Sequence, residues 1–238
     1  MDLISMETTL PDKSVSKSYG TLGTMLGLIA DIDIESESMR CFGQSFRTTL
    51  YAIMKIAKMR EYDITLSYLP TSGSTAEKSS ALIEQMSSAN DPKAESTVND
   101  SVDVKDVRLS EPPDQDWITI TEKYISVQGL ALSHMSSDHV MFPGLGLSSG
   151  YMNIALLKTR SRSKVFKLWD DLEDGTGFLG TSGKGHLKVI SCYAFRITPA
   201  RKQIVTLDGE YITSSGEVYC KIHKAMARVL SRRPAGNT

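Results

Sequence analysis

Short segments with the alternating pattern of β-strands follow one another along this chain, and few are separated by a stretch long enough for a helix. These segments are 2–9, 19–34, 63–69, 117–133, 150–158, 186–198 and 203–213. Parallel strands need a crossover of a dozen or more residues, usually a helix, whereas antiparallel strands need only a turn. The sequence therefore predicts a mainly β fold, a predominantly antiparallel β-sandwich with two or three helices.

Several of these segments carry a more specific expectation. The weak alternation of 2–9 is typical of an edge strand, and the glycines of 19–34 suggest a strand followed by a tight turn. The segment 117–133 is predicted to form two strands or a hairpin around Glu122-Lys123. Asp208-Gly209 within 203–213 is a strong signal for a two-residue hairpin turn.

Two segments have the spacing of amphipathic helices. In 39–59 the apolar residues recur every three or four positions, which predicts an apolar face of Phe42, Phe46, Leu50, Ile53 and Ala57. In 161–173 the corresponding face is formed by Val165, Leu168, Trp169 and Leu172. A further short helix at 78–87 is compatible with its apolar spacing.

The segment 71–116 differs from the rest of the chain in composition. It contains ten acids, four bases, nine serines and no aromatic residue, so its net charge is −6, while the remainder carries 23 bases and 18 acids. A segment this polar cannot bury enough apolar surface to offset the entropy of ordering it. We predict a disordered acidic insert within one domain, built from 1–70 and 117–233; a regulatory loop and a functionless insertion both remain open.

Charge and composition exclude several classes of protein. The net charge of −1 argues against nonspecific electrostatic binding to nucleic acid. No run approaches the roughly 18 apolar residues that span a bilayer, and the start has no signal-peptide pattern. Three widely spaced cysteines form no zinc or disulfide framework, which favours a cytoplasmic protein, and four scattered histidines suggest no metal site.

One acidic cluster stands out. Asp31, Asp33 and Glu35 alternate along the predicted extended segment, so they would share one face and repel one another. A ligand ammonium, a metal ion or Arg40 would neutralise them; a solvated strand end before a helix is the plainer alternative. Arg40 and Arg47 lie about two helical turns apart, where they would bind phosphate or neutralise these acids.

Six motifs, in order, resemble the C-terminal domain of sphingosine kinases, within the diacylglycerol-kinase-like lipid kinase family. They are GLIADIDIESESMRCFG at 27–43, YLP at 68–70, DWITITEKYISVQGLALSH at 116–134, GLGLSSGYMNIALLK at 144–158, YAFRITP at 193–199 and VTLDGE at 205–210. The closing segment, HKAMARVLS, is similar as well. The match covers nearly the whole chain.

The resemblance implies roles for individual residues. Asp33 matches the acid that pairs with the ammonium of the sphingoid base. Arg40, Arg47 and the turn Asp208-Gly209-Glu210 match nucleotide-binding positions, although the order Phe46-Arg47 inverts the family's arginine–aromatic pair. The implied residues for the lipid tail are Phe46, Val165, Leu168, Trp169 and Leu172, for each of which a plain core role is the alternative.

The family's two Gly-Asp-Gly loops do not occur in this sequence, and one of them holds the catalytic aspartate. We therefore expect no catalytic residue and no metal ligand in this chain, and no activity from it alone. The resemblance implies ATP with Mg²⁺ as cofactor, sphingosine as substrate, transient contact with a membrane surface and a homodimer formed through the nucleotide-binding domain. A ceramide or other lipid kinase fragment and a non-catalytic lipid-binding domain are the alternatives.

Overall fold

The computed structural model describes residues 1–42, 44–71, 116–136, 139–179, 185–214 and 216–229. Within them, one mainly antiparallel sheet carries three α-helices, which confirms the predicted fold class. The strands are β1 Leu3–Thr9, β2 Val15–Gly20, β3 Gly23–Gly27, β4 Tyr62–Pro70, β5 Ile118–Tyr124, β6 Ser126–Leu130, β7 Met152–Leu157, β8 Leu187–Pro199, β9 Val205–Leu207, β10 Glu210–Tyr211 and β11 Val218–His223. The helices are α1 Leu28–Ser36, α2 Gln44–Ala57 and α3 Arg162–Glu173, with 3₁₀ helices at Glu37–Phe42 and Gly177–Leu179.

The sheet has the order β10-β9-β3-β6-β7-β8-β11-β1-β2, and it branches at β8. The first half of β8 pairs with β7, whereas its second half pairs with both β11 and β4, which in turn pairs with β5. The branch folds β4 over the sheet, so that its apolar side chains share one buried core with those of β3, β6 and β7. Phe195 of β8 is fully buried there, and a Cβ at Gly129 would lie 2.5 Å from its ring.

The opposite face of the sheet is covered by the helices. A second core contains Met25 and Ala155 from the sheet, Ile32 from α1, Ile56 from α2 and Leu168 from α3. This helix layer packs on β3, β6 and β7, and it positions the acidic helix α1 at one end of the sheet.

The prediction of an extended segment across 19–34 is wrong in its second half, because residues 28–36 form α1. Gly27 ends β3 with φ +87°, and a Cβ there would lie 2.4 Å from the carbonyl oxygen of Ile125. The chain then turns into a helix that buries Leu28 and Ile32 against the sheet. Consequently Asp31 and Asp33 do not share a face, since residues two apart on a helix point about 200° from each other.

Two other local predictions need correction. The segment 2–9 is not an edge strand, because β1 pairs with β11 on one side and β2 on the other. The segment 117–133 does form two strands, but they separate at Ile125 and pair with different neighbours instead of with each other.

Helices α2 and α3 lie where the apolar spacing predicts them, but the predicted face of α2 is wrong. Its buried residues are Ala52 and Ile56, whereas Phe46 is 59% and Ile53 49% exposed. The helix thus has two apolar faces, and the structure buries the one that meets the sheet.

The hairpin around Asp208-Gly209 is confirmed. Strands β9 and β10 pair antiparallel, and the two turn residues have φ values of 52° and 86°. Two successive positive φ angles are typical of a type I′ turn, for which Asp-Gly is a favoured sequence.

The predicted acidic insert and the short helix at 78–87 lie outside the described residues, and the insert remains a prediction. The two strands that flank it, β4 and β5, are direct neighbours, with Tyr68 opposite Ile118. In the described part of the chain, no helix has the length and apolar character that crossing a membrane requires.

Candidate functional site

Helix α1 presents two aspartates to different surroundings. Asp31 is 8% exposed, and the hydroxyl of Tyr62 donates a hydrogen bond to its Oδ2 at 2.5 Å. Burial raises the pKa of the Asp31 carboxyl, although the Tyr62 hydroxyl opposes this shift. On the same face of the helix, Glu35 accepts a hydrogen bond from Nζ of Lys55 at 2.5 Å.

Asp33 faces the other side, where it is half-buried next to the β9–β10 turn. A Cβ added at Gly209 would lie 3.5 Å from Oδ2 of Asp33. Burial raises the pKa of the Asp33 carboxyl, the negative charges of Glu37 and Glu210 raise it further, and the positive charge of Arg47 lowers it. A carboxylate in such a setting is electrostatically suited to a cation that enters from solvent.

Of the two arginines predicted for the site, Arg47 is the one whose charge acts on Asp33 among the described side chains. Its Nη1 donates a hydrogen bond to Oγ of Ser36 at 3.4 Å, and the residue is half-exposed on the first turn of α2. The structure thus brings together Asp33, Arg47 and the turn at 208–210, which are up to 177 positions apart in sequence. Arg40 lies in the 3₁₀ helix Glu37–Phe42; its side chain is outside the described residues.

Asp208 uses its carboxylate within the fold. Its Oδ1 accepts hydrogen bonds from the backbone N–H groups of Leu22 and Gly23, both at 2.9 Å, and its Oδ2 accepts one from Thr21 at 2.7 Å. These bonds hold the turn between β2 and β3 against the β9–β10 turn. Of the three residues of this turn that were predicted to bind nucleotide, Gly209 and Glu210 lie beside Asp33, while the Asp208 carboxylate holds the turn between β2 and β3.

The predicted tail-binding residues occupy two different settings. Val165, Leu168 and Leu172 of α3 are buried in the helix layer. Trp169 is half-buried, with its ring 5.2 Å from the ring of His139, and Phe46 lies exposed on α2. The structure does not gather Phe46 with the α3 residues into one described cavity.

Sequence reasoning missed a cleft of about 220 Å³ on the Asp31 side of α1. Its lining is Leu28, Asp31, Glu35, Tyr51, Met54, Lys55, Lys58, Arg60 and Tyr62. The four-residue spacing of Asp31 and Glu35 was the available signal, but it has meaning only on a helix. Among the described residues, no three His, Cys, Asp or Glu side chains converge as ligands for a metal ion.

The bond between Tyr62 and Asp31 gives a first testable prediction. Tyr62→Phe removes the only hydrogen-bond donor that the described residues supply to this buried carboxylate. We expect the free energy of unfolding to fall by about 1–3 kcal/mol, the usual cost of leaving a buried polar group unpaired. Urea denaturation at pH 7 measures the change. Tyr51→Phe is the matched control, since that hydroxyl is bonded at an exposed site to Ser38; equal losses in both variants would contradict the prediction.

Comparison with known proteins places this geometry in context. No protein-family model matches the chain. It is 28% identical over 219 residues to human sphingosine kinase 1, covering 90% of this chain and 52% of the relative. It is 25% identical over 231 residues to sphingosine kinase 1 of Arabidopsis thaliana, covering 93% and 45%, and 24% identical over 200 residues to sphingoid long chain base kinase 4 of Schizosaccharomyces pombe, covering 82% and 41%. The chain spans about half the length of the curated relatives it matches.

A solved structure supports the fold independently. A putative diacylglycerol kinase from Bacillus anthracis superposes with a TM-score of 0.51 at 9% identity, covering 94% of this chain and 54% of that one. The chain therefore has a diacylglycerol-kinase-like fold and is similar, over about nine-tenths of its length, to sphingosine kinases.

Proposed function

We propose that this chain is the lipid-accepting part of an ATP-dependent sphingoid-base kinase, which transfers the γ-phosphoryl group of ATP to the primary hydroxyl of sphingosine. The observation that carries the proposal is the position of Asp33, half-buried between Arg47 and the β9–β10 turn. In such a pair the carboxylate can bind an ammonium group, and the guanidinium can bind a phosphate group beside it. That arrangement would align a hydroxyl near the amine with the phosphoryl group.

In this proposal each residue of the chain has a limited task. Asp33 binds the ammonium of the lipid, and thereby fixes the position of the neighbouring hydroxyl. Arg47 and Arg40 are assigned to the nucleotide phosphates, and Gly209 and Glu210 of the turn lie beside Asp33. No described residue is assigned as the base that takes the hydroxyl proton, so we expect no phosphoryl transfer by these 238 residues alone.

The ATP phosphates and the magnesium ion need different kinds of ligand from a protein. The guanidinium of Arg47 suits phosphate oxygens, which arginine binds through several N–H donors. The described residues supply no cluster of ligands for a metal ion. Bound Mg²⁺ would neutralise phosphate charge, and we assign its ligands to none of these residues.

The lipid tail and the membrane are proposed to meet the helix layer. Val165, Leu168 and Leu172 of α3 supply apolar side chains that would contact the tail. Phe46 and Ile53 form an exposed apolar face on α2, which supports transient contact with a membrane surface. The protein would then act as a cytoplasmic enzyme that associates peripherally with membranes.

The pH dependence of lipid binding tests the role of Asp33. Because its carboxyl has a pKa raised above the ordinary value of 3.8, it becomes protonated at a less acidic pH than an exposed aspartate. Only the ionised carboxylate attracts the ammonium, so we expect sphingosine affinity to be constant between this raised pKa and the alkaline pH at which the ammonium of the lipid loses its proton. Below the raised pKa of Asp33, the affinity should fall by about tenfold per pH unit. Calorimetric titration of the chain with a short-chain, water-soluble sphingosine measures this profile.

Two further measurements make the test specific. In Arg47→Leu the midpoint should move to higher pH, since the positive charge that lowers the pKa of Asp33 is removed. A short-chain ceramide has no ammonium, so its binding should not follow this titration. Equal affinities for ceramide and sphingosine at pH 7 would instead support the alternative of a ceramide or other lipid kinase, and absence of binding by either lipid would reject the proposal.

A further inference from the structure

The cleft on the Asp31 side of α1 has a nearly buried carboxylate in its lining. Asp31 is 8% exposed, and only its Oδ2 accepts a hydrogen bond from a described residue, the one that the Tyr62 hydroxyl donates. A carboxylate oxygen can accept two hydrogen bonds, so Oδ1 keeps its full capacity. Because Asp31 lines the cleft, this acceptor is open to a ligand that enters there.

Two cations form the exposed part of the same lining. Lys58 and Arg60 lie between the end of α2 and the start of β4, and neither side chain has a hydrogen bond or salt bridge to the described part of the chain. The acid next to them in sequence, Glu61, is occupied, because Arg160 donates to both of its oxygens at 2.9 and 3.0 Å. The two cations are therefore free to bind an anion at the mouth of the cleft.

The charges of the lining are thus separated between its inner and outer parts. Glu35 and Lys55 neutralise each other, which leaves one negative charge inside, at Asp31, and two positive charges at the mouth, at Lys58 and Arg60. Burial raises the pKa of the Asp31 carboxyl, and the positive charge of Arg60 acts against this shift. The inner acid and the outer cation are therefore close enough to contact one small ligand.

The size of the cleft restricts the ligand further. Its volume is about 220 Å³, whereas sites for drug-sized molecules have roughly 300–1,000 Å³. A compact, polar molecule with a cationic end for Asp31 and an anionic end for the mouth matches both the volume and the order of charges.

We propose that this cleft binds a small aminoalkyl phosphate. The ammonium group of the ligand donates to Oδ1 of Asp31, and its phosphate lies against Lys58 and Arg60. A phosphate monoester carries a charge of about −1.5 to −2 at pH 7, so the whole ligand is close to −1 and cancels the excess positive charge of the lining. An amino acid, whose carboxylate carries a single charge, would leave that excess. The site is separate from the proposed lipid site, because Asp33 faces the other side of α1.

Calorimetric titration of the 238-residue chain with O-phosphoethanolamine at pH 7 tests the proposal. Inorganic phosphate and ethanolamine, which each carry one of its two charged groups, are titrated in parallel. We expect O-phosphoethanolamine to bind at least tenfold more tightly than either, since each charge-assisted contact contributes about a factor of ten. Asp31→Asn should remove the advantage over inorganic phosphate, and Arg60→Gln should weaken binding of both phosphate compounds about tenfold. Arg201→Gln, at an exposed arginine outside the cleft, is the matched control and should change none of these affinities.

Each alternative result overturns the proposal at a defined point. If O-phosphoethanolamine binds no more tightly than inorganic phosphate, or does not bind, Asp31 is not the partner of an ammonium. An affinity that Arg60→Gln leaves unchanged places the phosphate elsewhere. Binding that is lost in Asp33→Asn and kept in Asp31→Asn places the ligand in the proposed lipid site instead. Arg60→Gln decides the matter by itself if Asp31→Asn does not fold, because Arg60 is exposed.

Discussion

Asp33→Asn is expected to lower the affinity of the chain for sphingosine by a factor of about 10²–10³. The substitution keeps the size of the side chain and removes only its charge. Removing one partner of a half-buried carboxylate–ammonium pair costs a few kcal/mol of binding free energy, because the remaining charge stays desolvated. At 1.36 kcal/mol per tenfold change, this corresponds to two or three orders of magnitude. Dissociation constants at pH 7 for both proteins give the result directly.

The matched control for this experiment is Asp63→Asn. Asp63 lies exposed on β4, and its carboxylate is 3.7 Å from Nζ of Lys123. The same chemical change at this site should leave lipid affinity unaltered. If Asp33→Asn binds sphingosine as tightly as the wild-type chain does, Asp33 is not the partner of the amine, and the preference for a free base over ceramide loses its basis.

Asp208→Ala should produce the largest loss of stability among the site residues, about 3 kcal/mol in the free energy of unfolding. The carboxylate accepts three backbone hydrogen bonds, from Thr21, Leu22 and Gly23, and no other described side chain replaces it. Hydrogen bonds to a charged acceptor are the stronger class. Asp208 also has φ 52°, where alanine is less favourable than aspartate or asparagine.

Two companion variants separate these causes in a urea titration. Asp208→Asn keeps the shape, one acceptor oxygen and the tolerance for positive φ, so it should lose about half as much. Glu210→Ala changes the exposed acid two positions later and should leave stability nearly unchanged. A wild-type melting curve for Asp208→Ala would show that the turn between β2 and β3 does not depend on this carboxylate.

The strands were predictable from the sequence wherever burial on one face imposes a period of two. The segments at 63–69 and 186–198 became β4 and β8 with nearly the expected bounds, and Asp208-Gly209 predicted its turn correctly. Helix α1 was not predictable in this way, because ADIDIE alternates as a strand does. The helical state of residues 28–36 is determined by Gly27, which ends the strand, and by contacts of Gly27 and Leu28 with Ile125, which is remote in sequence.

The candidate site was predictable in part. The resemblance of motifs selected Asp33, Arg47 and the turn at 208–210, and the structure places all three together. The role of the Asp208 carboxylate depends on N–H donors about 185 positions away, and no local pattern indicates them.

The pairing of β4 with β5 also makes the connection between these two strands a suitable place to insert another protein domain. Tyr68 lies opposite Ile118, so the chain leaves and re-enters the sheet through two paired residues whose Cα atoms are about 5 Å apart. Any cargo whose own termini are close together can be spliced there with little change in closure entropy, which grows by only about 0.6 kcal/mol per doubling of length. A fluorescent protein inserted at this position would show where the protein is located in a cell, and both ends of the polypeptide would stay unaltered.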